Sequence, residues 1–274
     1  MTQATANIDS SASQEDIHVI CIQWGTAYPA EDINRLYSMV ARNTTLPLKF
    51  HLFSNESLPA LNPEILQHPE PGVELPQAKG NLNYRKTVGL CTPDIAGLQG
   101  KRVFFFDLDV VITNNLDALF TYPQDDQFYI INDWNTKGDH VGQATCYSFI
   151  VGSLSYIKED FESNQQAVIA RYGTATQQYL SAKVIERFGA MQFWPDAWFR
   201  SFKYHCLAPL FVRRFVTPKK PPEETMVLAF HGNPNIQDAI VGVWQSPGSA
   251  KQESAWKRFY KKFRAAEWIA DYWK

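Results

Sequence analysis

Short apolar runs alternate along the chain with longer stretches in which apolar residues recur at helical spacing. Residues 17–23 and 48–53 are β-rich runs, and residues 30–43 between them place Ile33 and Leu36 on one helical face. This order predicts a strand–helix–strand unit. The same reasoning predicts strands at residues 127–131, 144–151 and 226–229 and helices at residues 81–91, 157–171 and 175–188. The alternation predicts an α/β protein with a mainly parallel central sheet flanked by helices.

Two regions depart from this alternation. Five prolines interrupt residues 54–80, which are predicted to form a long surface loop with at most one helical turn. Residues 251–274 place Trp256, Phe259 and Phe263 at three- and four-residue spacing opposite a set of lysines and arginines. That spacing predicts a basic amphipathic helix that packs against the parent domain or lies on an anionic membrane.

The most apolar run, VFFF at residues 103–106, is predicted to be a buried central strand, and it is followed by Asp107 and Asp109. In extended backbone, side chains two residues apart project to the same side. Open α/β sheets hold their ligands at the carboxyl ends of such strands. Carboxylate oxygens suit Mg²⁺ or Mn²⁺ that bridges to a phosphate-bearing ligand, and such a site is predicted here.

Other polar residues near predicted strand ends are weaker candidates. Arg85 and Lys86 either neutralise phosphate near the sheet edge or form a solvated helix face. Asp196 lies among tryptophans, as expected either where a sugar ring stacks or where a carboxylate caps a helix. His231 follows an apolar strand and precedes a glycine, so it is a candidate nitrogen ligand, although such histidines are more often structural.

Composition narrows the class of protein. The 274 residues suffice for one large domain, and the formal net charge of −2 argues against nucleic acid as a partner. The four cysteines are widely spaced and form no Cys-x-x-Cys pair, which indicates buried thiols in a reducing cytoplasm. Residues 1–16 are predicted to be a flexible leader rather than a signal peptide. The domain is predicted to span residues 17–248, followed by the amphipathic helix within residues 249–274.

Taken together, these residues resemble a GT-A glycosyltransferase close to the bacterial relatives of the glycogenin and lipopolysaccharide galactosyltransferase group, glycosyltransferase family 8. The resemblance covers roughly residues 17–234. It is carried by Trp24-Gly25-Thr26, YRK at 84–86, FFFDLDVVITNNLDALF at 104–120, INDW at 131–134, WPDAWFRSFKYHC at 194–206 and FHGNP at 230–234. It implies a single Rossmann-like GT-A domain.

The resemblance also implies an activity. A sugar would move from a nucleotide-diphosphate sugar, above all a UDP-sugar, to a hydroxyl of a glycan, lipid-linked or protein acceptor in cell-surface glycan or glycolipid synthesis. The nearest families mostly transfer hexoses with retention of configuration, although relatives invert. Asp107, Asp109 and His231 would bind Mn²⁺ or Mg²⁺. Donor contacts are implied for Trp24, Gly25, Thr26, Arg85, Lys86, Asp107, Asp133 and Gly232, and catalytic roles for Asp196 and Gln177.

The chain departs from the family pattern in three places. Thr176-Gln177 stands where an Asp-Gln pair is usual, Asn235 stands where a lysine often contacts phosphate, and residues 145–148 lack an Asn-Ser signature. One alternative is therefore a binding module that kept the fold and lost catalysis. Another is a haloacid-dehalogenase-like phosphatase, whose Asp-x-Asp continues with Gly-Thr where this chain has Val110-Val111.

Overall fold

The computed structural model describes residues 15–26, 28–75, 83–136, 140–246, 254, 256 and 261–274. The strands are β1 Ile17–Gln23, β2 Leu48–Ser54, β3 Ile65–Pro69, β4 Arg102–Phe106, β5 Val110–Ile112, β6 Tyr129–Asn132, β7 Gly142–Ile150, β8 Gln192–Phe193, β9 Phe199–Ser201 and β10 Val227–Ala229. The α-helices are α1 Ala30–Arg42, α2 Asn83–Gly89, α3 Asp117–Thr121, α4 Ser155–Tyr172, α5 Thr176–Phe188 and α6 Ile236–Val241. Of the predicted leader, only Glu15 and Asp16 lie among the described residues.

Seven strands form one sheet in the order β3-β2-β1-β4-β7-β6-β8. The first four are parallel neighbours, β7 runs antiparallel to β4 and β6, and β8 is parallel to β6. The predicted α/β architecture with a mainly parallel sheet is confirmed. Because the chain runs outward from β1 to β3 and then returns to the other side of β1, the topological switch point lies between β1 and β4.

The central strand β4 is buried on both faces. Phe104 and Phe106 point into the core that α1 covers, and Val103 and Phe105 point into the core that α2, α4 and α5 cover. A strand with two covered faces has no solvated side, so its sequence is continuously apolar instead of alternating. Asp107 and Asp109 therefore follow directly from a strand that is buried on both faces.

A second, smaller sheet has the order β5-β10-β9. β10 runs antiparallel to β5, with Ala229 opposite Val110, and parallel to β9. This pairing sets the residues that precede Val110 beside those that follow Ala229. The small sheet therefore brings two segments that are distant in sequence to the same edge of the domain.

The prediction of a long loop at residues 54–80 is wrong in part, because β3 lies within it. Only Ile65 of this strand is buried, so it shows no apolar alternation. Pro63 precedes the strand and Pro69 ends it. Both positions are tolerated, because β3 is at the edge of the sheet and has a neighbour on one side only. Residues 76–82 of the predicted loop lie outside the described residues.

The predicted C-terminal α-helix is also wrong over residues 261–274. Residues 262–266 have no regular secondary structure, and a 3₁₀ helix follows at Glu267–Asp271. The N–H of Arg264 donates to the Arg213 carbonyl at 3.3 Å, and that of Ala266 donates to the Ala239 carbonyl at 3.0 Å. These tertiary bonds take the place of the bonds of an α-helix. Residues 251–253, 255 and 257–260 of the predicted helix lie outside the described residues.

Candidate active site

A cleft of about 470 Å³ opens at the carboxyl ends of β1 and β4, at the topological switch point. Its lining combines residues from several elements: Trp24 after β1, Lys86 of α2, Asp107 and Asp109 after β4, Gln143 and Thr145 of β7, Thr176 and Gln177 of α5, and His231 and Gly232 after β10. The structure thus brings together most of the predicted site residues, including the aspartate pair.

The two aspartates differ in their surroundings. Asp107 forms an ion pair with Lys86, with 2.5 Å between Nζ and Oδ2. Burial opposes the charge of Lys86, but the charges of Asp107 and Asp109 outweigh it and the pKa of Lys86 is raised. One positive charge is therefore held at the floor of the cleft beside two carboxylates.

Among the described residues, Asp109 has no such counterion of its own. Its Oδ1 atom is buried and accepts no hydrogen bond from that part of the chain. Burial, and then the charge of Asp107, raise the pKa of Asp109 well above its usual range, while Lys86 offsets part of this effect. A buried carboxylate oxygen without a donor is costly, and a hard cation would remove that cost. The oxygen donors of this pair therefore fit Mn²⁺ or Mg²⁺.

His231 reaches the cleft through the pairing of β5 with β10. The N–H of Phe230 donates to the Asp109 carbonyl at 2.9 Å, which places His231 next to the aspartate loop. Its ring stacks on those of Trp134 and Tyr204, with 5.5 Å between ring centroids in each case. Its Nε2 lies 2.7 Å from Ser201 Oγ. Burial and the charge of Lys203 lower the pKa of His231 to about 4, so the ring is neutral at neutral pH.

These three side chains do not form a ready metal centre. Within the part of the chain that the structure describes, no group of three or more histidine, cysteine, aspartate or glutamate side chains is arranged to hold a metal ion. Asp107, Asp109 and His231 line the same cleft, but Nε2 of His231 lies 2.7 Å from Ser201 Oγ. His231 stays a prediction as a third ligand.

Lys203 is a cation at the cleft rim that sequence reasoning missed. It lies in the single π-helical turn Phe202–Cys206, and its Nζ donates to the His231 carbonyl at 2.9 Å. A Cβ added at Gly232 would lie 3.6 Å from the same Nζ. The only sequence signal was a basic residue within the aromatic stretch WFRSFKY, which gave no indication of its distance from Gly232.

The remaining donor-contact predictions divide between the cleft and its surroundings. Trp24 and Gln177 line the cleft. Gly25 adopts a φ of +62° and its N–H donates to Asn55 Oδ1 at 3.0 Å, so it shapes the loop after β1. Thr26 follows in the same turn and is not among the lining residues. Arg85 also lies outside the lining and pairs with Glu70 at 2.9 Å.

Asp133 and Asp196 line a separate pocket of about 300 Å³, together with Trp134, Arg200 and His205. Trp134 connects the two spaces, because it lines the smaller pocket with His205 and its ring stacks on that of His231, which lines the cleft. Asp133 is buried and its Oδ2 accepts a hydrogen bond from Thr136 at 2.8 Å. The predicted catalytic pair Asp196 and Gln177 is therefore divided between two pockets.

Two departures from the family pattern have structural roles. Thr176 Oγ1 lies 3.0 Å from Thr87 Oγ1, which ties the start of α5 to α2 at the cleft wall. Asn235 caps α6, since its side chain accepts a hydrogen bond from the Asp238 N–H at 2.7 Å. An asparagine at this position satisfies a backbone donor that a lysine could not satisfy.

Comparisons with known proteins place this architecture. No protein-family model matches the sequence, and a search of curated proteins found no match. Solved structures do resemble it. The glycosyltransferase GlyE from Streptococcus pneumoniae TIGR4 matches with a TM-score of 0.58 and 14% identity over 93% of this chain and 60% of its own. The galactosyltransferase LgtC, solved with donor and acceptor sugar analogues, matches with a TM-score of 0.54 and 11% identity over 94% of this chain and 97% of its own.

Mouse xyloside xylosyltransferase 1 matches with a TM-score of 0.51 and 12% identity over 80% of this chain and 98% of its own. At these identities the likeness establishes the fold. The chain has the GT-A glycosyltransferase fold, as the motifs predicted. It spans 60% of the length of the GlyE chain that it matches.

Proposed function

We propose that this protein is a metal-dependent glycosyltransferase that moves a sugar from a nucleotide-diphosphate sugar, most simply a UDP-sugar, to an acceptor hydroxyl. The observation that carries the proposal is the buried, unpartnered Oδ1 of Asp109 beside Asp107, in a cleft at the switch point of a GT-A fold. A ligand that brings a divalent cation and a diphosphate would satisfy this oxygen and occupy the cleft.

Different residues of the cleft would contact the cation, the diphosphate and the rest of the donor. Asp107 and Asp109 would hold the cation, with His231 as the predicted third ligand. When bound, the cation would offset negative charge on the diphosphate. Lys86 lines the cleft and Lys203 lies beside its residues His231 and Gly232, so both would supply positive charge, and such held charges stabilise a departing diphosphate more than water does. Trp24 offers a flat apolar surface after β1.

The acceptor and setting are part of the same proposal. Asp133 and Asp196 line the pocket next to the cleft, where a second polar ligand such as a glycan would fit. A hexose donor with retention of configuration, a lipid-linked or protein-linked glycan acceptor, and a role in cell-surface synthesis follow from the resemblance alone. The four free, buried cysteines agree with a reducing cytoplasm. Within the described residues, no helix combines the length and hydropathy needed to span a membrane.

The first experiment replaces the unpartnered carboxylate. Asp109→Asn should abolish the Mn²⁺-dependent part of UDP binding measured by calorimetry, because the amide supplies a weaker ligand and no charge. Asp126→Asn is the matched control, since Asp126 is exposed and lies outside the cleft. Its UDP affinity should equal that of the wild type. Unchanged UDP affinity in Asp109→Asn with Mn²⁺ present would refute the metal site.

Turnover separates the rival functions. A panel of nucleotide sugars, first screened by thermal shift with and without Mn²⁺, identifies the donor to test. Release of nucleoside diphosphate is expected for a transferase, and release of inorganic phosphate would indicate the phosphatase. A stabilised protein that releases neither would be a binding module, the alternative that the Thr176 and Asn235 departures keep open.

A further inference from the structure

Residues 207–217, called the apolar loop below, expose an unusual set of large apolar side chains. The exposed fractions are 88% for Phe211, 69% for Phe215, 49% for Val216 and 45% for Val212. Scattered single apolar residues are normal on protein surfaces, but consecutive ones on one loop mark a surface that another phase or molecule covers. The proposed transfer reaction uses none of these side chains.

The apolar loop is held by backbone hydrogen bonds and by a buried arginine. The N–H of Lys219 donates to the Cys206 carbonyl at 3.1 Å, which closes the base of the loop. Within it, the N–H of Phe215 donates to the Val212 carbonyl at 2.9 Å. Arg213 is buried with its guanidinium 5.1 Å from the ring centre of Trp244. The backbone is held from inside while the phenylalanines face outward.

The C-terminal tail, residues 261–274, packs against this loop. The N–H of Arg264 donates to the Arg213 carbonyl, and Trp268 Nε1 donates to the Pro218 carbonyl at 2.9 Å. The tail therefore brings its exposed basic residues Lys262 and Arg264 beside the loop. Two segments that are distant in sequence form one surface.

The charge of the apolar loop itself is positive. Arg214, Lys219 and Lys220 are exposed, and residues 202–222 contain no aspartate or glutamate, whereas the exposed Glu223 and Glu224 follow directly and the exposed Glu267 lies on the tail. Apolar side chains that protrude beside an excess of cations match a membrane surface with anionic headgroups, where the rings enter the acyl boundary and the cations meet the headgroups. The acidic residues lie outside the loop that carries the exposed phenylalanines.

We propose that the apolar loop and the basic residues around it dock this protein on an anionic lipid surface. The turn Phe202–Cys206 joins the loop directly to Lys203 at the cleft rim, so docking would hold the cleft close to the membrane. Lipid binding is independent of the proposed transfer reaction. If that reaction holds, the position of the cleft favours an acceptor carried by a lipid.

Vesicle sedimentation with the full chain tests the apolar part. The wild type should bind vesicles of phosphatidylcholine mixed with phosphatidylglycerol, and added salt should weaken the binding. The double variant Phe211→Ser with Phe215→Ser should bind more than about tenfold less, because it loses the inserted rings. Leu66→Ser, at a residue 41% exposed on β3, is the control and should bind as the wild type does.

The basic part is tested by charge removal. Lys219→Gln with Lys220→Gln should bind about 30-fold more weakly, since each cation near an anionic surface accounts for about a fivefold change in affinity. The control, Lys49→Gln with Arg171→Gln, removes the same charge from exposed positions outside the loop. This control should bind the vesicles nearly as well as the wild type does. If both double variants lose the same vesicle affinity, the effect depends on net charge alone, and the proposed surface is overturned.

Insertion is measured directly with a polarity-sensitive dye on Phe211→Cys, which is practical because the four native cysteines are buried. Its emission should shift to the blue with the mixed vesicles, whereas dye on Leu66→Cys should not respond. Absence of wild-type binding, or a dimer in lipid-free solution that Phe211→Ser dissociates, would overturn the proposal. UDP binding by the loop variants and vesicle binding by Asp109→Asn are both expected to persist, so failure of one proposal is distinguishable from failure of the other.

Discussion

Single side chains decide the electrostatics of the cleft, and Lys203 gives a sharp test. Its Nζ donates to the His231 carbonyl at 2.9 Å and would lie 3.6 Å from a Cβ added at Gly232, so it lies beside two residues that line the cleft. Lys203→Gln should weaken UDP binding about tenfold through loss of a charge-assisted hydrogen bond, and Lys203→Arg should retain most of it. Calorimetry with Mn²⁺ present measures both.

The control for this prediction is Lys219→Gln, which removes an exposed lysine outside the cleft lining. It should leave UDP affinity unchanged. If Lys203→Gln and Lys219→Gln bind UDP equally well, Lys203 has no part in donor binding. If Lys203→Arg weakens UDP binding as much as Lys203→Gln does, Lys203 acts by holding His231 in position and not by its charge.

Among the elements, the three adjacent strands β1, β2 and β3 share a row of histidines. His18 Nδ1 lies 3.1 Å from His51 Nε2, and His51 Nδ1 lies 3.0 Å from His68 Nε2. Burial lowers the pKa of each ring. For His51, burial and then repulsion from His18, His68 and Lys49 lower the pKa to about 4. Folding therefore keeps His51 neutral at a pH at which the unfolded chain binds a proton.

The sign of the pH dependence follows from this. Because the folded pKa of His51 lies below its unfolded value near 6.5, its contribution is complete above about pH 6.5 and is lost as the pH falls toward 4. The loss is on the order of 3 kcal/mol at most. His51→Gln should therefore have a smaller decrease in the free energy of unfolding between pH 7 and pH 4.5, measured with urea. His140→Asn, at an exposed histidine, should follow the wild type.

The elements also explain what the sequence could and could not predict. Strand β1, helix α1 and strand β2 were predictable because apolar periodicity follows their buried faces. Strand β3 was not, since its only buried residue is Ile65 and proline occurs at its end. The place of Asp107 and Asp109 in the cleft was predictable from a buried strand followed by carboxylates. The approach of Lys203 to Gly232 depends on the packing of the turn after β9 against the residues after β10, and no local pattern encodes it.

In the whole molecule, residues 261–274 of the C-terminal tail pack onto the core instead of forming the predicted α-helix. Of the predicted apolar spacing, Phe263 and Ala266 are buried, whereas Trp256 and Ala270 are exposed; Ile269, which lies outside that spacing, is buried as well. The tail reaches α1 as well, where Arg42 donates to the carbonyls of Tyr272 and Lys274. A separate contact of the tail requires Gly242, the residue after α6, because a Cβ at Gly242 would lie 2.6 Å from the Ala265 nitrogen.

This arrangement predicts unequal costs for the same chemical change in two phenylalanines. Phe263 is 5% exposed and its ring lies 6.0 Å from that of Phe202, whereas Phe211 is 88% exposed. Phe263→Ala should lower the free energy of unfolding by about 3 kcal/mol or more, and Phe211→Ala by less than about 0.5 kcal/mol. Urea unfolding at pH 7 in lipid-free buffer measures both. Similar small losses would mean that the tail is undocked in solution, and the support that Arg264 and Trp268 give to the apolar loop would then be absent too.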